Sequence, residues 1–251
     1  MDNLNQSLNN YEITSAYITR KGNRNYNEDS VISIATLNRC LYGVADGLGG
    51  QGFGRVASDT AVNSVKRIFE DESYDTDSFL NDAFVKVQQE LMNKKAVGDY
   101  GDMMTTLALV HIAGDIRWAH IGDTRVYLFD DGSIEDQTLD HSVPQALVYA
   151  DEITFDEIRH HPDRNRLLRA IGKEWSKDEF TLSDIHDIKS GEAILICSDG
   201  FWEYVLESEM EETLRSSPTV EEWLKQMERI IVNRGHDYDM DNYSAVAVMI
   251  K

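Results

Sequence analysis

Residues 40–50 read Cys40-Leu41-Tyr42-Gly43-Val44-Ala45-Asp46-Gly47-Leu48-Gly49-Gly50. The apolar run Cys40–Ala45 has the length and composition of a strand, and it ends on an aspartate followed by glycine. Working outward, Ile13–Thr19 and Ser30–Leu37 read as strands on its N-terminal side. On its C-terminal side two helices are expected. Ala57, Ala61, Val65 and Ile68 step by four, four and three, and Leu80, Phe84, Val87 and Leu91 by four, three and four, so each set occupies one helical face. Strand signals return at Thr105–Ile112, Ile116–Ile121 and Arg125–Phe129, with a short piece near Ile134 beyond the hairpin turn Asp130-Asp131-Gly132-Ser133. Residues 142–170 read as helical but strongly polar, a surface excursion more than a core layer. Strands at Glu179–Leu182 and Ala193–Cys197, helices near 207–216 and 219–233, and the strand Ser244–Ile250 complete the chain. Strands, a helix pair, strands, a helix pair and a strand predict an α+β fold with largely antiparallel sheet, not a strict βαβα alternation.

The length of 251 residues suits one domain, expected over 11–251 after a flexible polar, Asn-rich tail at 1–10. With three prolines and no low-complexity tract there is no candidate interdomain linker. The 24 basic and 45 acidic residues give a net charge of −21, which argues against nucleic-acid and anionic-membrane partners because both need a positive field. It leaves basic partners and cations, although most of these carboxylates read as solubilising helix faces. Cys40 and Cys197 lie in apolar runs and read as buried thiols, favouring a reducing compartment. The N-terminus has neither the basic nor the apolar region of a signal peptide, and no apolar stretch approaches the roughly 20 residues of a membrane helix. A cytoplasmic protein is expected; a secreted effector lacking such a signal would read the same. Monomer is the default state.

Four aspartates stand beside glycine or asparagine at the edges of apolar strands: Asp46-Gly47, Gly122-Asp123, Asp199-Gly200 and Asp241-Asn242. Asn27-Glu28-Asp29 precedes a fifth strand. Singly, each reads as a turn. Their recurrence carries the inference, because carboxylates converging from neighbouring strand ends repel one another unless cations neutralise them. Oxygen-only ligation, without a Cys cluster or a closely spaced ligating His pair, points to Mg²⁺ or Mn²⁺. The carbonyl of Gly47 is free of side-chain obstruction and could join. Two such cations bridged by a carboxylate would acidify water for phosphoester hydrolysis. Arg24, five residues before Asp29, could take the phosphate bidentately. On spacing alone it fits a solvated loop arginine equally well.

The motifs Gly22-Asn23-Arg24-Asn25-Tyr26-Asn27-Glu28-Asp29, Val44-Ala45-Asp46-Gly47, Met104-Thr105-Thr106-Leu107, Ile121-Gly122-Asp123-Thr124-Arg125-Val126-Tyr127, Asp140-His141-Ser142, Arg169-Ala170-Ile171-Gly172, Cys197-Ser198-Asp199-Gly200-Phe201-Trp202-Glu203 and Asp241-Asn242-Tyr243-Ser244 occur in that order. The series resembles the metal-dependent Ser/Thr protein phosphatases (PPM, type 2C) in their compact bacterial form, over roughly residues 12–251. The resemblance implies a four-layer αββα sandwich of two antiparallel sheets with helices outside. It implies hydrolysis of phosphoserine and phosphothreonine in one step by a metal-bridged hydroxide, with phosphorylated proteins as substrates. Asp46 would bridge two Mn²⁺ or Mg²⁺ ions, with the Gly47 carbonyl on one. Asp199 and Asp241 would complete the first metal, and Glu28 and Asp29 would serve the second, directly or through water. Asp123 with Asp199 is where bacterial members bind a third ion. Arg24 matches the phosphate-binding arginine, and 142–170 falls where the family carries a mobile flap.

One departure stands out. Many relatives have histidine after the Asp-Gly pair as a proposed general acid, whereas this chain has Leu48, which cannot donate a proton. His141 could substitute, but a structural role for it weighs more. His160 and His161 read as a solvated helix end in preference to an accessory metal patch, and Trp118, Trp175, Trp202 and Trp223 as packing residues. A catalytically silent phosphoprotein-binding module of the same fold is the alternative function, disfavoured because every acidic position remains. An acidic Ca²⁺-binding protein is disfavoured by the lack of an Asp-x-Asp-x-Asp-Gly loop. The charge further predicts a preference for phosphosites flanked by Lys or Arg.

Overall fold

Every residue of the strand Tyr243–Ile250 is buried, as is every residue of Leu107–Ile112 and of Ala193–Cys197. A strand hydrophobic on both faces needs cover on both, so these segments cannot belong to a sheet with one wet side. The computed structural model describes residues 3–8, 11–49, 52–71, 78–98, 101–235 and 239–251, and it answers that demand with stacked sheets. One sheet has the order β1 (Asn3–Leu8), β2 (Tyr11–Arg20), β13 (Tyr243–Ile250), β12 (Ala193–Cys197), β8 (Arg125–Asp130) and β9 (Ser133–Gln137). The other runs β10 (Thr181–Leu182), β7 (Asp115–Ile121), β6 (Leu107–Ile112), β4 (Cys40–Leu48) and β3 (Asp29–Ala35), with β11 (His186–Asp187) added to β7 and β5 (Met104–Thr105) to β4. All the pairings are antiparallel.

Alternation along each strand assigns its two faces. Tyr42, Val44, Val110, Ile112, Ile194, Ile196, Val246 and Val248 form one apolar layer between the sheets. Their neighbours Leu41, Ala45, Leu107 and Leu109 turn outward to Ala57, Ala61 and Val65 of α1 (Phe53–Glu70) and to Phe84, Val87 and Leu91 of α2 (Phe79–Val97). On the far side Leu195, Cys197, Ala245 and Ala247 meet Trp223, Leu224, Met227 and Ile231 of α6 (Val220–Gly235), with Met210 of α5 (Glu207–Ser216). The molecule is thus the expected αββα sandwich. Cys40 and Cys197 are both buried and free. No described helix is long and apolar enough to cross a membrane.

The structure corrects three local expectations. Asn3–Leu8, expected within a loose tail, pair in register with Tyr11–Ala16, because a sheet edge offers unpaired backbone groups to any adjacent segment. The excursion at 142–170 is helical only at α3 (Val143–Tyr149) and in a 3₁₀ turn at Phe155–His160; its polar composition lacks the apolar stripe that would support a longer helix. Asp46-Gly47 is not a turn: β4 continues through Leu48, held on one side by β5.

That last feature requires two bare backbones. Gly47 in β4 lies against Gly54 in α1, and a Cβ on Gly54 would stand 2.5 Å from the Gly47 carbonyl oxygen and 3.0 Å from Glu28 Oε1. In an ordinary exposed helix Gly→Ala gains about 1 kcal/mol. Here Gly54→Ala should instead lose about 1–3 kcal/mol through overpacking, measured by urea denaturation; a gain would refute the packing argument.

Candidate active site

Antiparallel register carries strand ends from both sheets to one rim. Asp29, opening β3, is the register partner of Asp46 near the end of β4. Leu107 pairs with Ile121, so the Gly122-Asp123-Thr124 turn leaving β7 emerges beside β4. In the other sheet Cys197 is flanked by Arg125 and Ala245. Asp199, the first residue of the one-turn helix α4 (Asp199–Trp202), therefore feels both Asp123 and Asp241. The rim encloses a cleft of about 450 Å³ lined by Arg24, Glu28, Asp46, Gly47, Asp123, Asp199 and Asp241, together with Asn25, Tyr26, Leu48, Asn165 and Leu167 among others. Of the residues expected to hold metal or phosphate, Asp29 alone stands back from the cleft. It is buried, accepts a hydrogen bond from Ser198 Oγ at 2.9 Å, and leaves Oδ1 without a partner.

Hydrogen bonds fix the backbone that presents these acids. The Asp46 N–H donates to Thr106 Oγ1 (3.0 Å), and its carbonyl accepts from the Thr106 N–H (2.9 Å) and Thr105 Oγ1 (2.8 Å). Thr106 Oγ1 meets Thr124 Oγ1 at 2.6 Å, tying the Asp123 turn to Asp46. Gly122 turns there with φ +97°, where a Cβ would also strike Thr106. Asn242 joins the other corner: its Oδ1 accepts from the Glu28 N–H (2.7 Å), and its Nδ2 donates to the carbonyls of Lys21 and Tyr26 (both 2.9 Å). Arg24 Nη2 lies 2.8 Å from Asp241 Oδ2, which raises the guanidinium pKa further. Arg24 thus lines the cleft from an exposed loop, paired with Asp241.

The electrostatics are those of acids held against their preference. Burial, then Asp29, Asp199, Asp123 and Asp241, push the Asp46 carboxyl well above the usual range. Asp199 is raised by burial and then by Asp123 and Glu203. Burial lifts Asp29 to about 6, and burial with Asp140 nearby lifts Asp123 to about 7. Each reports the same conflict, desolvation combined with like charge. Among the described residues, no group of three or more His, Cys, Asp or Glu is already drawn together into a metal cage.

The histidines take the plainer roles. His141 Nδ1 accepts from the Gly122 N–H at 3.2 Å and its Nε2 pairs with Thr181 Oγ1. Its ring stacks on His120 at 4.6 Å, and burial beside His120 and Arg169 lowers its pKa to about 3. It stays neutral, does not line the cleft, and braces the Asp123 turn. His160 is exposed, and His161 Nδ1 accepts from the Asp163 N–H.

Comparison with known proteins agrees with this geometry. Residues 20–242 match the family model described as Protein phosphatase 2C. The chain belongs to the protein phosphatase 2C family. It is 31% identical over 207 residues to the serine/threonine phosphatase stp of Listeria monocytogenes, spanning 79% of this chain and 81% of that one. The crystal structure of the Mycobacterium tuberculosis serine/threonine phosphatase PstP/Ppp superposes with a TM-score of 0.82 at 30% identity, covering 94% of this chain and 98% of that one. A catalytic domain of PstP in complex with two manganese ions gives 0.81 at 28% identity, covering 96% and 99%.

In this phosphatase the 142–170 segment is fastened to the helices that follow Asp199. Arg164 pairs with Glu203, and Arg159 Nη2 reaches Glu207 Oε2 and Oε1 at 2.7 and 2.9 Å. Arg125 is fully buried: it grips Asp140 bidentately (2.8 and 2.7 Å), donates to Tyr127, and stacks on the Trp202 ring at 3.7 Å. Sequence reading placed Glu203 and Asn242 within motifs without giving them a role, and passed over Glu207 and Arg159, which read as solvated polar residues. Asp199, Glu203 and Glu207 recur every four residues, but α4 ends at Trp202 and α5 begins at Glu207, so the spacing marks no single helical face.

Arg125 and Asp140 have side chains 2% and 1% exposed. Removing one partner of such a pair strands a desolvated charge, so Asp140→Ala should cost about 3–5 kcal/mol in urea unfolding. A loss below 1 kcal/mol would mean that Tyr127 and Glu207 suffice to hold Arg125.

Proposed function

We propose that this phosphatase hydrolyses phosphoserine and phosphothreonine in proteins, with divalent cations held by the rim carboxylates. The observation that carries the reading is the shared cleft: Glu28, Asp46, Asp123, Asp199 and Asp241 line one space with Arg24. The unpartnered Oδ1 of buried Asp29 and the mutual destabilisation of the charged aspartates suit an oxygen-ligating cation. Asp46 would be shared by two Mn²⁺ or Mg²⁺ ions, with the Gly47 carbonyl on one of them, and Asp199 and Asp241 would complete the first. Glu28 and Asp29 would serve the second, directly or through water, and Asp123 with Asp199 would hold an accessory ion. When bound, the cations acidify water and neutralise charge on the phosphoryl oxygens.

The chain's own groups do the rest. Arg24, kept protonated beside Asp241, binds the phosphate and orients phosphorus toward the carboxylates. Among the described lining residues there is no Ser, Thr, Cys or His, which supports direct attack by water without a phosphoenzyme. A water oxygen bonds phosphorus as the ester oxygen leaves, releasing inorganic phosphate and the Ser or Thr hydroxyl. Leu48 lies in the cleft without a proton to give, so the departing oxygen takes its proton from water or from another group of the cleft. The 142–170 segment, reaching the cleft through Asn165 and Leu167, is the flap that meets the substrate polypeptide.

Purified protein should hydrolyse p-nitrophenyl phosphate with Mn²⁺ and lose that activity in EDTA. Asp46→Asn and Asp199→Asn should each lower kcat by about 10²-fold or more. Folded wild-type protein inactive with Mn²⁺ would leave the silent binding module as the better reading. The net charge of −21 supports a preference for phosphosites flanked by Lys or Arg. Basic-flanked phosphopeptides should then be turned over faster than acidic-flanked ones, by a margin that shrinks with added salt. Equal rates at low salt would sink that preference.

A further inference from the structure

Trp202 belongs to two assemblies at once. It is 1% exposed and lies on the one-turn helix begun by Asp199, with its N–H bonded to the Ser198 carbonyl. Its indole Nε1 donates to the backbone carbonyl of Asp123 at 2.9 Å. The ring is also the surface on which the flap rests its charge. Arg159 of the flap stands with Cζ 5.7 Å from the ring centre and donates to the Val205 carbonyl at 3.2 Å; it also bonds both Glu207 oxygens, of which Oε1 in addition accepts from Tyr127 and Arg125. Arg125 covers the same ring at 3.7 Å and is itself locked to Asp140. Phe155, also in the flap, stands 5.0 Å from the Arg125 guanidinium carbon.

This is a contiguous path of buried, directional contacts from flap to cleft. A guanidinium stacked on an aromatic ring in a dry site holds its partner far more firmly than an exposed contact would. Displacing Trp202 would leave the Asp123 carbonyl without its donor and unstack Arg125, whose charge has no access to water. Undocking the flap withdraws Arg159 and leaves Glu207 with one fewer cation. The indole then keeps only part of its clamp.

We propose that Trp202 is a positioning residue that couples flap docking, through Arg159 and Glu207, to the placement of Asp123 and Asp199 in the cleft. The proposal rests on the reading that these two aspartates belong to the catalytic centre. It predicts that the flap and the Asp123 turn open together, although the turn lies in β7–β8 and makes its own sheet contacts.

Hydrogen–deuterium exchange on the Mn²⁺-loaded protein, read over peptides covering 121–126 and 143–160, tests this alongside steady-state kinetics on a phosphothreonine peptide. Trp202→Phe keeps an aromatic face for both arginines while removing the Nε1 donor and the smaller ring of the indole. It should raise exchange at 121–126 and leave 143–160 protected, lowering kcat about five- to tenfold with KM within about twofold. Arg159→Met should raise exchange in both segments. Glu207→Gln, which keeps size and shape, should do the same and replaces Trp202→Phe if that variant does not fold. The proposal is overturned if Arg159→Met or Glu207→Gln frees the flap while 121–126 exchanges as in wild type, or if Trp202→Phe leaves kcat within about twofold. A wild-type protein without Mn²⁺-dependent turnover would instead refute the phosphatase reading, and the exchange of the two segments would still decide the coupling.

Discussion

Asp29 and Asp46 face each other across one antiparallel pair of strands, Asp29 buried and Asp46 in the cleft wall, with Asp199 and Asp123 close enough to act on Asp46. Nothing in local chemistry favours this. Each desolvated carboxylate raises the energy of the next, and left alone the group would disperse or take up protons. The remainder of the molecule can be understood as the apparatus that prevents dispersal. Two sheets packed face to face set the strand ends in register, and helices sealing both outer faces allow those strands to be apolar throughout. The acids are therefore confined to the one cleft at the strand ends.

The backbone contacts around the rim follow from the same conflict. Thr105 and Thr106 satisfy every polar atom of the Asp46 peptide, Thr124 joins that frame to the Asp123 turn, and Asn242 spans from Glu28 to Lys21 and Tyr26. These are neutral hydrogen bonds, each worth only about 1 kcal/mol net. Their value is geometric, since a repelling set must be held by groups that add no charge of their own. Only at the edges do counter-charges appear, with Arg24 on Asp241 and Arg164 on Glu203.

Much of the layer order was legible because periodicity reports burial. Steps of three and four exposed α1 and α2, and continuous apolar runs such as Ser244–Ile250 announced strands covered on both faces. The carboxylates were legible as a set because five similar strand ends recur, although Asp46 sits within a continuing strand and Asp29 stands behind the cleft. What escaped was whatever depends on tertiary partners. Asn3–Leu8 become a strand only because β2 offers an edge. Arg159 and Glu207 look like ordinary surface charges until the fold buries them around Trp202, and Asn242 carries no pattern that marks it as a bracket.

The place of β13 in its sheet has a temporal meaning. It lies between β2 and β12, pairing Tyr243–Ile250 with Ile13–Arg20 across more than two hundred residues of chain, and its first residues adjoin Asp241 and Asn242. Until that strand has been synthesised and inserted, β2 and β12 have no partner between them, Glu28 lacks its bracket, and Arg24 has no Asp241 to meet. A ribosome-bound chain that stops short of it can fold helices but cannot assemble the cleft, because pairings so distant in sequence form late. Assembly of the cleft thus waits on one event, the insertion of β13 between β2 and β12.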